Sequence, residues 1–95
     1  MTEEFEIVLS DKAVLAARRI GNPAGTRLVI THGNGFAIDA YRVFWEPLAK
    51  DFDLVLFDMR NHGRSPFSGA GGHHYARLAI DIGEVAAEVQ RRFGQ

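Results

Sequence analysis

The period of the hydrophobic pattern changes along this chain, and each change marks an element. Phe5, Ile7 and Leu9 alternate with Glu4, Glu6 and Val8, a period of two that predicts a strand with one mostly buried face. Ser10-Asp11-Lys12 supplies a turn, and Ala13 to Ile20 is a second short apolar run. A connection this short excludes a parallel crossover, so the two runs are expected to pair as an antiparallel hairpin. Gly21-Asn22-Pro23-Ala24-Gly25 is dense in turn residues, and Arg27-Leu28-Val29-Ile30-Thr31 follows as a continuous apolar run, the pattern of a strand buried on both faces. Ile38, Tyr41, Trp45 and Leu48 then fall at helical spacing. Asp39 is expected to cap the start of that helix, and Pro47 to kink or restart it. Asp53-Leu54-Val55-Leu56-Phe57 predicts a second buried strand, and strand, helix, strand at this spacing is a right-handed βαβ unit with parallel strands. A polar, glycine-rich connection from Asp58 to Gly72 leads into Leu78, Ile82, Val85 and Val89, an amphipathic helix over Tyr75 to Phe93 that ends near Gly94. The fold class is therefore α/β, an antiparallel hairpin followed by a parallel βαβ unit and a C-terminal helix. No repeat or linker interrupts it, so residues 1–95 read as one domain or part of one.

Composition narrows the function classes. With 46% hydrophobic and 24% charged residues among 95, the chain has the make-up of ordinary globular sequence and carries no membrane span. Formal net charge is −1 and the eleven basic residues are spread from Lys12 to Arg92, so nucleic acid and anionic lipid are not expected partners; a small molecule is. Cysteine is absent, which removes disulfides, redox pairs and thiolate nucleophiles. The acidic start, Met1 to Glu6, lacks the basic and apolar regions of a secretory signal, and the expected location is cytoplasmic.

In open parallel sheets ligands bind beyond the carboxyl ends of the strands, which directs attention to the segments after Thr31 and after Phe57. His32-Gly33-Asn34-Gly35-Phe36 places two glycines where strand turns into helix; positive φ is open to them, and backbone N–H groups there can face a ligand. A tight turn alone would use the same glycines. The second segment is Asp58-Met59-Arg60-Asn61-His62-Gly63-Arg64-Ser65.

A hairpin, then strand-HGxG-helix, then a strand ending in D-x-R-x-H-G-x-S resembles the opening of the α/β-hydrolase fold superfamily, a three-layer architecture, and the resemblance covers nearly the whole chain. It implies that backbone amides around Asn34 and Gly35 help form an oxyanion hole for acyl transfer, with Gly33 and Phe36 beside the substrate. It implies a scaffolding loop near the pocket floor for Asp58, Arg60, His62, Gly63 and Ser65, held by the Asp58 carboxylate and the Arg60 guanidinium. His32 is expected to be structural, its ring bonded to neighbouring backbone. The parent activity implied is hydrolysis of an ester or related bond by a serine nucleophile, without a cofactor. A dehalogenase or epoxide hydrolase with an aspartate nucleophile is the alternative within the superfamily, Asn34 then offering its side chain to a leaving halide.

Other chemistries fit less well. Gly63-Arg64-Ser65-Pro66-Phe67 matches four positions of G-x-S-x-G but lacks the last glycine, and a proline follows a serine that sits seven residues after Asp58, so Ser65 is not expected to be a nucleophile. Ser10 and Ser68 are no better placed, and no histidine follows Asp81, so the order Ser, Asp, His is not met. Adjacent His73 and His74, even with His62, suit one tetrahedral zinc site poorly, and no metal is expected. Gly33-Asn34-Gly35 is also the first half of G-x-G-x-x-G, with Asp58 at a distance suited to a ribose, but Ile38 stands in the third glycine position and a hairpin precedes the unit, against a nucleotide-binding module. Tyr41 and Trp45 read as core.

In the superfamily the strand after the last helix ends in the nucleophile elbow, and the sequence stops at Gln95. The expectation is a truncated gene product, an expressed piece or part of a split enzyme, inactive alone, with the Arg27–Thr31 strand at an exposed sheet edge open to aggregation. A non-catalytic interaction module is the remaining reading.

Overall fold

A computed structural model describes residues 2–33, 35–69, 71 and 74–94. Strands β1 (Thr2–Val8) and β2 (Val14–Gly21) form the expected hairpin, with Phe5 opposite Ala17 and Ile7 opposite Leu15. Its turn closes through Leu9 N–H on the Ala13 carbonyl at 2.8 Å and Lys12 N–H on the Leu9 carbonyl at 2.8 Å, with Lys12 at φ 73°. Strands β3 (Arg27–Ile30) and β4 (Asp53–Phe57) are parallel, and β2 pairs antiparallel with β4, giving the order β1-β2-β4-β3.

Strand β4 is central and its five residues are all buried, so its alternation feeds two cores. Val55 and Phe57 join Ile7, Leu9, Leu15 and Ala17 under Val85 and Val89 of helix α2 (Tyr75–Phe93). Leu54 and Leu56 face the other way, toward Ile38 and Trp45. The result is three layers, helix, sheet, helix. Each aliphatic side chain taken fully from water contributes about 1.5–3 kcal/mol, and β4 supplies both interfaces.

The crossover between β3 and β4 departs from a continuous helix. It runs as a 3₁₀ turn at Ile38–Tyr41, one α turn, α1 (Arg42–Trp45), and a second 3₁₀ turn at Glu46–Lys50, with Pro47 at the start of the last. Pro47 restarts the helix because it has no N–H to give to the preceding turn. Asp39 is not the cap: that position is Ala37, without a side-chain bond, and the Asp39 carboxylate instead meets Arg18 at 2.6 Å and Arg64 at 3.1 Å.

Two other expectations are corrected. β3 is not buried on both faces: it is the edge strand, α2 packs over β1, β2 and β4, and Val29 on the uncovered side is 43% exposed. In α2 the buried stripe is Leu78, Asp81, Val85 and Val89, while Ile82 is 50% exposed. Asp81 turns inward because it takes a two-pronged bond from the buried Arg60 guanidinium, at 2.7 and 2.9 Å, and one from Arg77 at 2.9 Å. Arg60 also reaches Asp11 at 2.8 Å, so one cation ties the hairpin turn, the loop after β4 and α2 together. These bonds hold Arg60 firmly in its charged form. Helix α2 starts at His74, whose Nδ1 accepts Arg77 N–H at 3.2 Å, and closes at Gly94, φ 76°.

Removing one partner of a buried ion pair strands the other, whereas trimming an exposed aliphatic removes little. Asp81→Ala is therefore expected to cost about 3 kcal/mol in urea denaturation, and Ile82→Ala less than about 1 kcal/mol; equal losses would overturn this placement of the helix face. The Arg60 bond holds the Asp11 carboxyl below its ordinary 3.8, and bonds from the Ser10 hydroxyl and N–H hold Glu84 below 4.5. Both groups keep their charge in the fold at a pH where the unfolded chain has begun to protonate. Their stabilisation is thus complete above those ordinary values and is lost as pH falls below them. Thermal melting between pH 6 and pH 3 is expected to show a falling midpoint below about pH 4.5, and Glu84→Gln a weaker fall.

Candidate functional site: the loops beyond the parallel strands

The loops after β3 and β4 lie side by side at the carboxyl ends of the two parallel strands, and their polar groups are exchanged between them. Asp58, the first residue beyond β4, is buried; its Oδ1 accepts Ile38 N–H at 2.8 Å from the β3 loop and its Oδ2 accepts Arg64 N–H at 3.0 Å from its own. The carboxylate does not meet Arg60. The two side chains anchor the loop separately, Asp58 toward the β3 loop and Arg60 toward α2.

Gly63 is required by this arrangement. Its φ is +49°, and a Cβ there would sit 2.4 Å from Asp58 Oδ1 and 2.5 Å from its Cγ. Ser65 is buried and fully used: it accepts Ala16 N–H at 2.9 Å and donates to the Asp58 carbonyl at 2.8 Å, fastening the loop to β2. Asn61, at φ 63°, accepts Ser68 N–H at 2.7 Å and donates to the Gly69 carbonyl at 2.8 Å.

Histidines supply the other exchange. Met59 N–H donates to His32 Nε2 at 2.9 Å, which leaves Nδ1 to carry the proton and donate to the Gly33 carbonyl at 2.8 Å. Gly35 N–H donates to His62 Nε2 at 2.9 Å, and His62 Nδ1 donates to the Arg60 carbonyl at 2.8 Å. Each ring thus holds its own loop through Nδ1 and takes an amide of the facing loop through Nε2. The rings are 5.0 Å apart, tilted by 43°. His32 is buried, with its Nε2 3.5 Å from Asp58 Oδ1.

Three amides of the β3 loop are correspondingly engaged. Gly33 N–H donates to the Tyr41 hydroxyl at 3.0 Å, Phe36 N–H to the Gly33 carbonyl at 3.1 Å, and Gly35 N–H to His62. Of the two glycines read as free to take positive φ, Gly35 does, at 87°; Gly33 is constrained by space, since a Cβ would come within 3.0 Å of the Tyr41 hydroxyl. Asn34, singled out with Gly35 for the oxyanion, lies outside the described residues, as does His73. Phe36 is 58% exposed, and its ring lies 6.1 Å from Tyr41, which in turn lies 6.4 Å from Phe44.

The sequence reading missed three of these partners: Asp81 for Arg60, the Tyr41 hydroxyl for Gly33, and His62 for Gly35. Asp81 carried a signal, being a charged residue three after Leu78 and four before Val85 on an apolar stripe. Among the described residues no group of three or more His, Asp or Glu is placed to hold a metal ion, and no helix is long and apolar enough to cross a membrane.

Two adjacent loops at the ends of parallel strands, in a three-layer α/β fold, stand where such sheets bind ligands. Comparison with solved structures gives the family. An esterase from Rhodococcus sp. ECU1013 is similar at 32% identity over 90% of this chain and 31% of its own, with a TM-score of 0.76. A hydrolase from Pseudomonas aeruginosa PA01 is similar at 28% identity over 93% of this chain and 34% of its own, TM-score 0.77. A haloalkane dehalogenase loop variant from Bradyrhizobium elkanii shares the fold at 15% identity over 93% of this chain and 29% of its own, TM-score 0.78. The chain belongs to the α/β-hydrolase fold superfamily and matches its N-terminal part, spanning about a third of the length of these structures. No family model and no curated protein matches the sequence.

Gly63→Ala would place a Cβ against a buried carboxylate as well as in left-handed backbone. It is expected to cost more than the roughly 1–2 kcal/mol of the backbone alone, while Gly71→Ala, which meets nothing within 4 Å, stays within about 0.5 kcal/mol. Denaturant midpoints of the two variants check this, and equal midpoints would show that Asp58 is not held against Gly63.

Proposed function

We propose that this chain is the N-terminal part of a serine hydrolase of esterase or lipase type, to which it contributes the oxyanion loop. The observation that carries the reading is the placement of Gly35 and Ile38 of the β3 loop against His62 and Asp58 of the β4 loop at the ends of parallel strands, in a chain 32% identical to an esterase over 90% of its length. In this reading the amides of Asn34 and Gly35 hold the oxyanion that forms when a nucleophile attacks an ester carbonyl. One such donor contributes about 3–4 kcal/mol of transition-state stabilisation. Gly33 keeps the loop backbone close to the reacting carbon, and the exposed ring of Phe36 gives an apolar contact to the substrate.

The nucleophile and its base come from outside these residues. Ser65 is bonded to Ala16 and Asp58, the Ser10 hydroxyl to Glu84 and the Ser68 hydroxyl to Asn61, and among the described residues none of these three hydroxyls is bonded to an imidazole. The reading therefore gives the 95 residues no hydrolysis of their own, a small-molecule substrate for the whole enzyme, no cofactor, no nucleic-acid or membrane partner and a cytoplasmic location. The haloalkane dehalogenase of the same fold favours a second reading, an aspartate nucleophile with the Asn34 side chain at a leaving halide.

The protein translated from the complete gene, offered a fluorophosphonate probe and p-nitrophenyl acetate, is expected to be labelled on a serine and to turn over the ester, while residues 1–95 alone do neither. Halide release from a haloalkane without labelling would move the assignment to the second reading. Labelling of the 95 residues by themselves would contradict both.

A further inference from the structure

Gly35 differs from its neighbours in the β3 loop in what receives its N–H. Gly33 gives its amide to a phenol, Phe36 to a carbonyl and Ile38 to a carboxylate, whereas Gly35 gives its amide to an imidazole nitrogen, 2.9 Å away. An imidazole accepts through Nε2 only while that nitrogen is bare. His62 Nδ1 faces the Arg60 carbonyl at 2.8 Å and so holds the ring's proton in the neutral form, which leaves the Nε2 lone pair for Gly35. A second proton can go only on Nε2. It removes the acceptor and sets an N–H directly against the Gly35 N–H.

We infer that His62 is a positioning residue for the oxyanion loop: neutral, it holds the Gly35 amide away from substrate, and protonated, it releases that amide. The inference rests on the hydrolase reading for its meaning, because only there does the Gly35 amide have a ligand. Titratable and charged groups from both loops and the turn that follows stand around the bond. The β3 loop brings His32, whose ring is 5.0 Å from His62 and whose Nε2 is taken by Met59 N–H. The turn that follows brings the Tyr41 hydroxyl, on Gly33 N–H, and Asp39, which is drawn off to Arg18 and Arg64. The β4 loop brings Asp58, 3.5 Å from His32 Nε2, with Arg60 turned away to Asp81 and Asp11 and Arg64 to Asp39 and Glu4. Asp58 keeps its hold on Ile38 and Arg64 whichever form His62 takes, so the loop base stays in place while the Gly35 peptide is freed. Gly35, at φ 87° with nothing within 4 Å of where a Cβ would be, has the freedom to turn.

The test is an NMR titration of the protein from about pH 8 to pH 5, following the Gly35 amide and the ring nitrogens of His62 together. The two are expected to move with one midpoint, while the Ile38 and Arg64 amides stay still. In His62→Gln, whose side-chain oxygen accepts an N–H but does not titrate, the Gly35 amide is expected to lose its response. The Ala16 amide, held by the Ser65 hydroxyl, serves as the folded control. A Gly35 amide that does not move across the wild-type titration, or that moves equally in His62→Gln, overturns the inference. The measurement needs no turnover: a still amide leaves the hydrolase reading standing. A moving amide in a full-length protein that takes no ester leaves the positioning role standing and removes its catalytic meaning.

Discussion

Two peptide N–H groups from different loops, Ile38 and Arg64, end on one buried carboxylate, Asp58, and the order at the ends of β3 and β4 depends on that convergence. Parallel neighbours share no turn, so their loops leave the sheet with amides that nothing in the strands can satisfy. A carboxylate at the first position beyond β4 satisfies one from each side and is charged, which roughly doubles the strength of each bond. Gly63 has no side chain because that carboxylate occupies the space. Ser65 follows at the distance where its hydroxyl links the Asp58 carbonyl to β2. With the base fixed, the two histidines lie side by side with tilted rings, and each takes an amide from the opposite loop.

The fold below serves the same end. β4 is buried along its whole length and is flanked by strands of opposite sense, so its carboxyl end is held from both sides and its loop leaves from a rigid point. The Arg60 cluster fixes the outer part of that loop to α2 and to the hairpin turn. Among the described residues β3 has one neighbouring strand and a bare face at Val29, so the β3 loop takes its position from Asp58, His62 and Tyr41 more than from the strand beneath it.

Much of this was legible in the sequence because it rests on local period. The hairpin, the two parallel strands and the extent of α2 follow from alternation, continuous apolar runs and a glycine at the helix end. What was not legible depends on partners far along the chain. Burial of β3 is a matter of what covers it, which an apolar run does not encode. Ile82 and Asp81 are adjacent on α2, and the buried face passes through the aspartate because its partner, Arg60, arrives from a loop 21 residues earlier. Asp39 has the composition of a helix cap and spends its charge on Arg18 and Arg64 instead. At the site the glycines of the β3 loop were readable as a turn with accessible amides; that an imidazole from the next loop receives one of them was not, since no spacing rule links Gly35 to His62.

The central claim is that the two loops are braced by paired histidine–amide bonds. The most direct measurement is of ¹⁵N–¹⁵N couplings across those hydrogen bonds at neutral pH. Coupling is expected from the Gly35 amide nitrogen to His62 Nε2 and from the Met59 amide nitrogen to His32 Nε2, with both rings protonated at Nδ1. Both rings protonated at Nε2, with no coupling to either amide, would contradict it.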